Sequence, residues 1–114
     1  MHEYSLMTAL MERVEEEASA RQALAVHRVT VRIGELSGVE PELLASAFEI
    51  VRAGTICAKA DLHIDRVAAR WVCTACRRAL DPAAGGPRCQ ACGAPAALAA
   101  GDEILLGQIE LEVP

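Results

Sequence analysis

Four cysteines in two pairs constrain this chain of 114 residues more than any other feature. Cys73 and Cys76 form one CxxC pair, Cys89 and Cys92 form the second, and twelve residues separate the pairs. Two such turns supply four thiolates, the tetrahedral set that structural Zn²⁺ takes at about 2.3 Å per bond. The pattern therefore predicts a structural zinc site. Two disulfides, or a rubredoxin-like iron site with the same four sulfurs, are the alternatives, and sequence alone does not separate zinc from iron.

The segment between the two pairs carries an Asp-Pro and a Gly-Gly-Pro sequence, which turn the chain and give it no core of its own. A segment this small needs a cross-link to fold stably, and metal binding contributes roughly 10 kcal/mol or more of folding free energy. We therefore expect a zinc-binding ribbon module at residues 69–98. It would be inserted into a larger domain made of residues 1–68 and 99–114.

The length of the chain fits one domain, or one domain with a small appendage. The hydrophobic fraction of 53% allows a real core, and the aromatic fraction of only 3% makes that core aliphatic. No apolar run approaches the roughly 20 residues of a membrane span. The start of the chain, Met-His-Glu-Tyr, does not resemble a signal peptide. We expect a cytoplasmic protein, and disulfides are disfavoured in that compartment.

The net charge of −5 is unevenly distributed. Residues 69–98 carry four arginines and one aspartate, which is +3, and the remainder carries 7 basic and 15 acidic residues, which is −8. The cysteine module is therefore basic, whereas the rest of the chain is acidic. This asymmetry fits either ordinary solvation of two surfaces or a docking surface for an acidic partner.

Two amphipathic helices are predicted. Ser5 is a suitable N-cap for a helix that starts at Leu6 and leaves Met1 to Tyr4 free ahead of it. Pro41 fits the first position of the second helix, and Gly54 fits its C-terminal stop. The apolar stripes expected to face the core are Met7, Leu10, Met11, Val14 and Ala18, and then Leu44, Ala47, Phe48 and Val51.

Three strands are predicted from alternating apolar residues, at His27–Ile33, Leu62–Val67 and Leu105–Val113. In the last strand Ile109, Leu111 and Val113 are expected to point inward. Two helices packed on a three-stranded sheet give a two-layer α+β fold, with the ribbon module inserted between the second and third strands. Residues 94–100 are alanine-rich and are expected to form a return linker.

Three further residues carry metal-binding side chains outside the paired motif. The lone Cys57 is expected to be a small buried residue. His27 is in phase with the apolar face of its strand, which predicts an edge or core position. His63 is out of phase and is expected to be solvated.

The first residues offer a second metal-binding arrangement. The α-amine of Met1, the backbone nitrogen of His2 and the His2 imidazole can chelate one ion in adjacent rings. Such nitrogen-rich, near-planar sets suit Ni²⁺ or Cu²⁺. Taken alone the signal is weak, because a second-position histidine is usually a solvated residue.

Several segments of the chain, taken together, resemble the HypA/HybF family of nickel metallochaperones, which act in hydrogenase maturation. They span nearly the whole chain, and they are the N-terminal Met1-His2-Glu3-Tyr4-Ser5-Leu6, the segment Ile33-Gly34-Glu35-Leu36-Ser37-Gly38-Val39-Glu40-Pro41-Glu42, Gly54-Thr55, both CxxC pairs, and Gly101-Asp102-Glu103. The chain departs from the family pattern at Arg77, where glycine is usual, and at Gln90, where proline is common. These departures affect the turns around the cysteines and leave the number of ligands unchanged.

The resemblance implies nickel at His2, with Met1 and Glu3 contributing to the site, and structural zinc at Cys73, Cys76, Cys89 and Cys92. It also implies that the protein delivers Ni²⁺ to the large subunit of a [NiFe] hydrogenase, in concert with a nickel-handling GTPase. Related proteins also serve urease. On this basis we expect no enzymatic activity of its own, and a monomer or weak homodimer.

Two other classes of function fit the sequence less well. A zinc-ribbon module that binds nucleic acid would use the basic residues of 69–98, but the whole chain is acidic and has almost no aromatic residues for base stacking. An enzyme with catalytic zinc would need an open coordination position. Four thiolates close the coordination shell, so this site should be inert. Neither nucleic acid nor membrane is expected as a partner.

Overall fold

The computed structural model describes residues 2–81 and 86–114. Its elements are, in chain order, α1 (His2–Ala20), β1 (Ala25–Gly34), α2 (Pro41–Val51), β2 (Asp61–Val67), β3 (Arg70–Cys73), β4 (Ala79–Leu80), β5 (Ala96–Ala100) and β6 (Ile104–Glu112). Residues 82–85, which include part of the turn sequence between the two cysteine pairs, and Met1 lie outside the described residues. None of the helices in the described part of the chain combines the length and the hydrophobicity needed to cross a membrane.

The strands form two separate sheets of three strands each. The first has the order β2-β1-β6, with β1 parallel to β2 and antiparallel to β6. The second has the order β4-β3-β5 and is antiparallel throughout. The predicted α+β fold is confirmed: the second sheet, with its connecting turns, carries the four paired cysteines and is inserted between β2 and β6 of the first.

Both helices cover one face of the first sheet, and the core lies between these two layers. The predicted stripe of α1 is buried throughout, and so are Leu44, Ala47 and Phe48 of α2, while Val51 is half-buried. These side chains pack on Val26, Val29, Val31 and Ile33 of β1. The core is aliphatic apart from Phe48, as the composition predicts.

The first helix begins four residues earlier than predicted. It includes His2, Glu3 and Tyr4, and Ser5 lies within it instead of capping it. The Glu3 carboxylate lies in the first turn, where a negative charge favours helix formation. The same carboxylate accepts a hydrogen bond from the backbone N–H of Glu40, just ahead of α2, which ties this first turn to the body.

The second helix ends earlier than predicted. Its last residue is Val51, and Arg52 caps it by donating its backbone N–H to the carbonyl oxygen of Phe48 at 2.9 Å. Gly54 lies beyond this cap and adopts a left-handed backbone with φ +75°. Gly54 therefore belongs to the turn after the helix and is not its stop.

The prediction for His27 was wrong because β1 contains a β-bulge. Val26 pairs with Leu111 and Arg28 pairs with Glu110, so His27 is the extra residue and is exposed. A bulge changes the phase of the alternating pattern, which periodicity alone does not reveal.

The last two segments also differ in part from the sequence-based prediction. Residues 94–100 are not a linker, because β5 (Ala96–Ala100) pairs with β3 as a strand of the second sheet. Val113 follows the end of β6 and is 54% exposed, so it does not point inward. Alanines carry a weak strand signal, and the pairing with β3 decides their conformation.

Candidate metal centre

Two similar turns present the four cysteines. In the first, the backbone N–H of Arg77 donates to the carbonyl oxygen of Cys73 at 3.1 Å, and in the second Gly93 donates to Cys89 at 2.8 Å. The two donors occupy equivalent positions, and both have a left-handed backbone, with φ 62° at Arg77 and 78° at Gly93. Glycine adopts this conformation without penalty, whereas arginine is strained in it. The departure of Arg77 from the family pattern therefore falls where backbone strain arises.

The four sulfurs are close enough to share one ion. All four Sγ atoms lie within 4.8 Å of one another, with 3.3 Å between Cys73 and Cys92 and 3.8 Å between Cys76 and Cys89. A tetrahedral site with bonds of about 2.3 Å has sulfur–sulfur edges of about 3.8 Å, so the arrangement fits four-sulfur coordination. None of these cysteines is in a disulfide. Zinc and iron remain equally compatible with these distances.

Burial divides each pair in the same way. Cys73 and Cys89 are 0% and 2% exposed, whereas Cys76 and Cys92 are exposed. Among the described residues of 69–98, Cys73 and Cys89 are the fully buried ones, and the apolar side chains are at best half-buried. The sulfurs are thus the centre of the module, whose described residues form no apolar core of their own.

Backbone N–H groups prepare the buried sulfurs to be thiolates. The Cys76 and Ala75 amides both donate to the Sγ of Cys73 at 3.4 Å, and they lower the pKa of Cys73 to about 6. The Cys92 and Ala91 amides lower the pKa of Cys89 in the same way. Metal binding requires thiolates, so these turns reduce the cost of losing protons to the ion.

The second predicted metal site involves the N-terminal residues. His2 is exposed in the first turn of α1. The Glu3 carboxylate oxygen Oε2 accepts a hydrogen bond from the backbone N–H of Glu40 at 3.2 Å, and this bond, with that of the Glu3 amide, lowers the pKa of Glu3. Within residues 2–81 and 86–114, His2 and Glu3 belong to no cluster of three or more metal-binding side chains. A metal at His2 must therefore use backbone or α-amine nitrogen, and Met1 lies outside the described residues.

The start of α1 at His2 is compatible with such a chelate. The first four N–H groups of a helix have no partner within the helix. The backbone nitrogen of His2 is one of these, so an ion that displaces its proton breaks no hydrogen bond of α1. The early helix start changes the setting of the predicted ligands but not their availability.

The structure confirms the expectations for Cys57 and His63. Cys57 is completely buried, and burial raises the pKa of its thiol to about 11. His63 is exposed on β2. His27 is exposed as well, and its Nε2 lies 2.9 Å from the Oε1 of Glu112.

Glu40 is a residue that the sequence did not identify at this site. It precedes α2 as its N-cap, but its side chain makes no capping bond, and its backbone N–H is the group that binds Glu3. The proline at position 41 was a signal for this cap position. Nothing in the sequence indicated that its partner is 37 residues away.

Comparisons with known proteins agree over nearly the whole chain. Residues 1–111 match the family model described as hydrogenase/urease nickel incorporation metallochaperone, HypA. The chain is 40% identical over 114 residues to the hydrogenase maturation factor HypA of Wolinella succinogenes, covering 98% of this chain and 96% of that protein. It is 34% identical to the protein of the same name from Aquifex aeolicus, covering 99% of each.

Two solved structures are similar to the fold. The solution structure of the Ni metallochaperone HypA from Helicobacter pylori matches with a TM-score of 0.71 and 30% identity, covering 98% of each chain. A solution structure of HypA protein matches with a TM-score of 0.82 and 32% identity, covering 100% of this chain and 98% of that one.

Proposed function

Because the chain belongs to the HypA family of hydrogenase and urease nickel-incorporation metallochaperones, we propose that it binds Ni²⁺ at its N-terminus and delivers it to the large subunit of a [NiFe] hydrogenase. A protein of this family acts as a carrier and a maturation factor, which is a non-catalytic role. The proposed nickel ligands are His2, Met1 and Glu3. The observation that carries the proposal is the exposed His2 in the first turn of α1, in a chain that matches the family from its first residue.

The position of His2 suits a site that must release its cargo. Its imidazole is at the surface, and the nitrogen ligands come from one chain end and not from several elements of the core. An acceptor can therefore replace these ligands one at a time without unfolding the body. Protons compete with nickel for the imidazole, the amine and the amide nitrogen, so binding releases protons to solvent and weakens as the pH falls.

We propose that the four cysteines hold zinc as a resident structural metal. When bound, zinc holds the two turns of the module together. Four thiolates leave no open position for water, so this site has no part in the chemistry of nickel. The proposed division is a nickel-binding domain of residues 1–68 and 99–114 and a zinc module of residues 69–98. Its support is the separate sheet formed by β3, β4 and β5, whose last strand extends two residues past the proposed boundary, to Ala100.

The proposed partners are a nickel-handling GTPase and the hydrogenase large subunit, with urease maturation as the second candidate, since the matching family model names both enzymes. We propose a cytoplasmic protein that works as a monomer or weak homodimer. The charge of the module supports docking less than its sequence suggests. Zn²⁺ with four thiolates carries two negative charges, which reduces the +3 of residues 69–98 to about +1.

The proposal is tested by calorimetric titration of Ni²⁺ into zinc-loaded protein with a native N-terminus. His2→Ala removes the imidazole, and one extra residue before Met1 moves the α-amine out of chelate reach. Both changes should abolish nickel binding and leave the zinc content unchanged. His63→Ala is the matched control, because it removes an exposed histidine from β2, and it should bind nickel as the wild type does. Nickel binding of wild-type affinity in His2→Ala would place the site elsewhere.

A further inference from the structure

Two chain segments connect the cysteine module to the body, and both lie against the loop that follows β1. The first segment joins β2 to β3, and the second joins β5 to β6. The backbone N–H of Glu35 donates to the carbonyl oxygen of Val67, the last residue of β2, at 2.8 Å, and that of Leu36 donates to Gly101 in the second segment at 2.6 Å. Two consecutive amides of one loop therefore bind both connections to the module.

Glycines allow these backbones to touch. A Cβ atom on Gly34 would overlap the carbonyl group of Gly101. Gly101 has φ +112°, and a Cβ atom there would lie 2.5 Å from the Cα of Ala69. The loop and the two connecting segments are thus stacked without side chains between them, so a small shift of one must move the others.

Two carboxylates complete this junction. Oε1 of Glu35 accepts a hydrogen bond from the backbone N–H of Ala69 at 3.0 Å. Oε1 of Glu103 accepts one from Gly101 at 2.6 Å, and its own amide and that of Gly101 lower the pKa of Glu103. Each carboxylate thereby satisfies an N–H group on one connecting segment. These bonds to side chains, outside the strand ladders, hold the segments where neither sheet continues.

The other end of the same loop reaches the N-terminus. The hydroxyl of Ser37 accepts from the backbone N–H of Val39 at 3.3 Å, which stiffens the turn. The next residue is Glu40, whose backbone N–H binds Glu3. Seven residues, 34–40, therefore connect the base of the cysteine module to the first turn of α1.

We propose that Glu35 is a positioning residue for nickel transfer. Its carboxylate accepts the backbone N–H of Ala69 across the junction and so holds the cysteine module in one orientation relative to the N-terminal residues, while the Glu103 bond stiffens the second connecting segment from within. In this proposal the nickel acceptor contacts both parts at once. This inference rests on the proposed function. A fixed orientation lets the acceptor meet the nickel ligands without first ordering the module, and misplacing reacting groups by about 1 Å can cost roughly 100-fold in rate.

The test uses the full zinc-loaded chain with a native N-terminus. Glu35→Ala removes the acceptor of the Ala69 bond, whereas Glu35→Gln keeps an oxygen at the same place. Glu110→Ala is the matched control, because it removes an exposed carboxylate whose partner is Arg28, near the start of β1 and away from the junction at its end.

Residual dipolar couplings report whether the amides of the module and of the body share one alignment tensor. Calorimetry reports nickel affinity, and a stopped-flow assay reports nickel transfer to the purified precursor of a [NiFe] hydrogenase large subunit.

We expect Glu35→Ala to lose the shared tensor and to transfer nickel about tenfold or more slowly, with unchanged zinc content and nickel affinity. Glu35→Gln and Glu110→Ala should behave as the wild type in every measurement. A shared tensor in Glu35→Ala would overturn the positioning role. If Glu35→Ala loses the shared tensor but transfers nickel at the wild-type rate, the link between module orientation and nickel transfer is overturned. If the wild type itself transfers no nickel, the proposed function fails, whereas the tensor measurements still decide whether Glu35 orients the module.

Discussion

Oε2 of Glu3 and the backbone N–H of Glu40 are 3.2 Å apart and form a hydrogen bond between the first turn of α1 and the N-cap of α2. The bond connects the start of one helix to the start of the other. It also occupies one carboxylate oxygen of a residue proposed to assist nickel binding, which leaves the other oxygen available to an ion.

The Glu3 bond predicts a dependence of stability on pH. The pKa of Glu3 is lowered, chiefly by the bond from Glu40, so the folded state binds this proton less tightly than the unfolded state. The stabilisation is therefore present at neutral pH and is lost as the pH falls through the lowered pKa of Glu3. Urea unfolding of wild type and Glu3→Gln, which does not titrate, should show a difference in unfolding free energy that changes across this acidic range. Glu12→Gln, on the exposed face of α1, should show no such change. Parallel pH profiles for wild type and Glu3→Gln would contradict the prediction.

Removing one thiolate should unfold the cysteine module and leave the body folded. Cys73→Ala leaves three sulfurs for the ion, so we expect the loss of one zinc equivalent and the unfolding of residues 69–98, because metal binding supplies roughly 10 kcal/mol of folding free energy. The body should remain folded, because its core lies between α1, α2 and the first sheet. Zinc analysis and an NMR amide spectrum measure both effects. The control is Cys57→Ala, which should keep its zinc and lose about 1 kcal/mol of stability from the cavity it leaves. A full zinc equivalent in Cys73→Ala would exclude the four-sulfur site.

Cys57, the fifth cysteine, should not react with thiol reagents in the folded protein. Burial raises the pKa of the Cys57 thiol to about 11, so only about one molecule in 10,000 carries its thiolate at pH 7. After zinc is removed with a chelator, residues 69–98 should unfold, so a thiol reagent should label all four clustered cysteines. Cys57 should react only after denaturant is added, as mass spectrometry of the labelled peptides would report. Rapid labelling of Cys57 without denaturant would show that the body opens when zinc leaves.

The two equivalent turn positions predict opposite effects of substitution. Arg77 is strained at φ 62°, and Arg77→Gly should relieve about 1 kcal/mol, which corresponds to roughly fivefold tighter zinc binding because binding and folding of the module are coupled. Gly93 has φ 78° and open space around its Cα, so Gly93→Ala should cost a similar amount through backbone strain alone. Competition with a chromophoric chelator measures both. Arg78→Ala controls for the lost positive charge, and equal zinc affinity in Arg77→Gly and wild type would contradict the strain argument.

Local patterns were sufficient for much of the fold. The apolar stripes of α1 and α2 repeat at helical spacing, and both stripes face the core as predicted. The spacing within each CxxC pair also acts locally, since it shapes a single turn around one sulfur. For these features, nearby residues determine both the conformation and the burial.

Features that depend on distant segments were missed. His27 is exposed because β1 and β6 pair with a bulge, and residues 96–100 form a strand because β3 lies beside them. The start of α1 differs for the same reason, since Glu3 finds its partner 37 residues away. Each outcome is set by a pairing that single-segment periodicity does not encode.

The sequence by itself determined the two-layer α+β body, the four-cysteine motif and the family resemblance, because side-chain periodicity and ligand spacing are properties of short segments. Only the tertiary structure decided that the four sulfurs lie within 4.8 Å of one another, that α1 includes His2, and that the carboxylates of Glu3 and Glu35 accept the backbone N–H groups of Glu40 and Ala69. These last contacts are hydrogen bonds between side chains and backbone amides. Such bonds form wherever folding brings a carboxylate beside a free N–H group, and neither partner marks its position in the sequence.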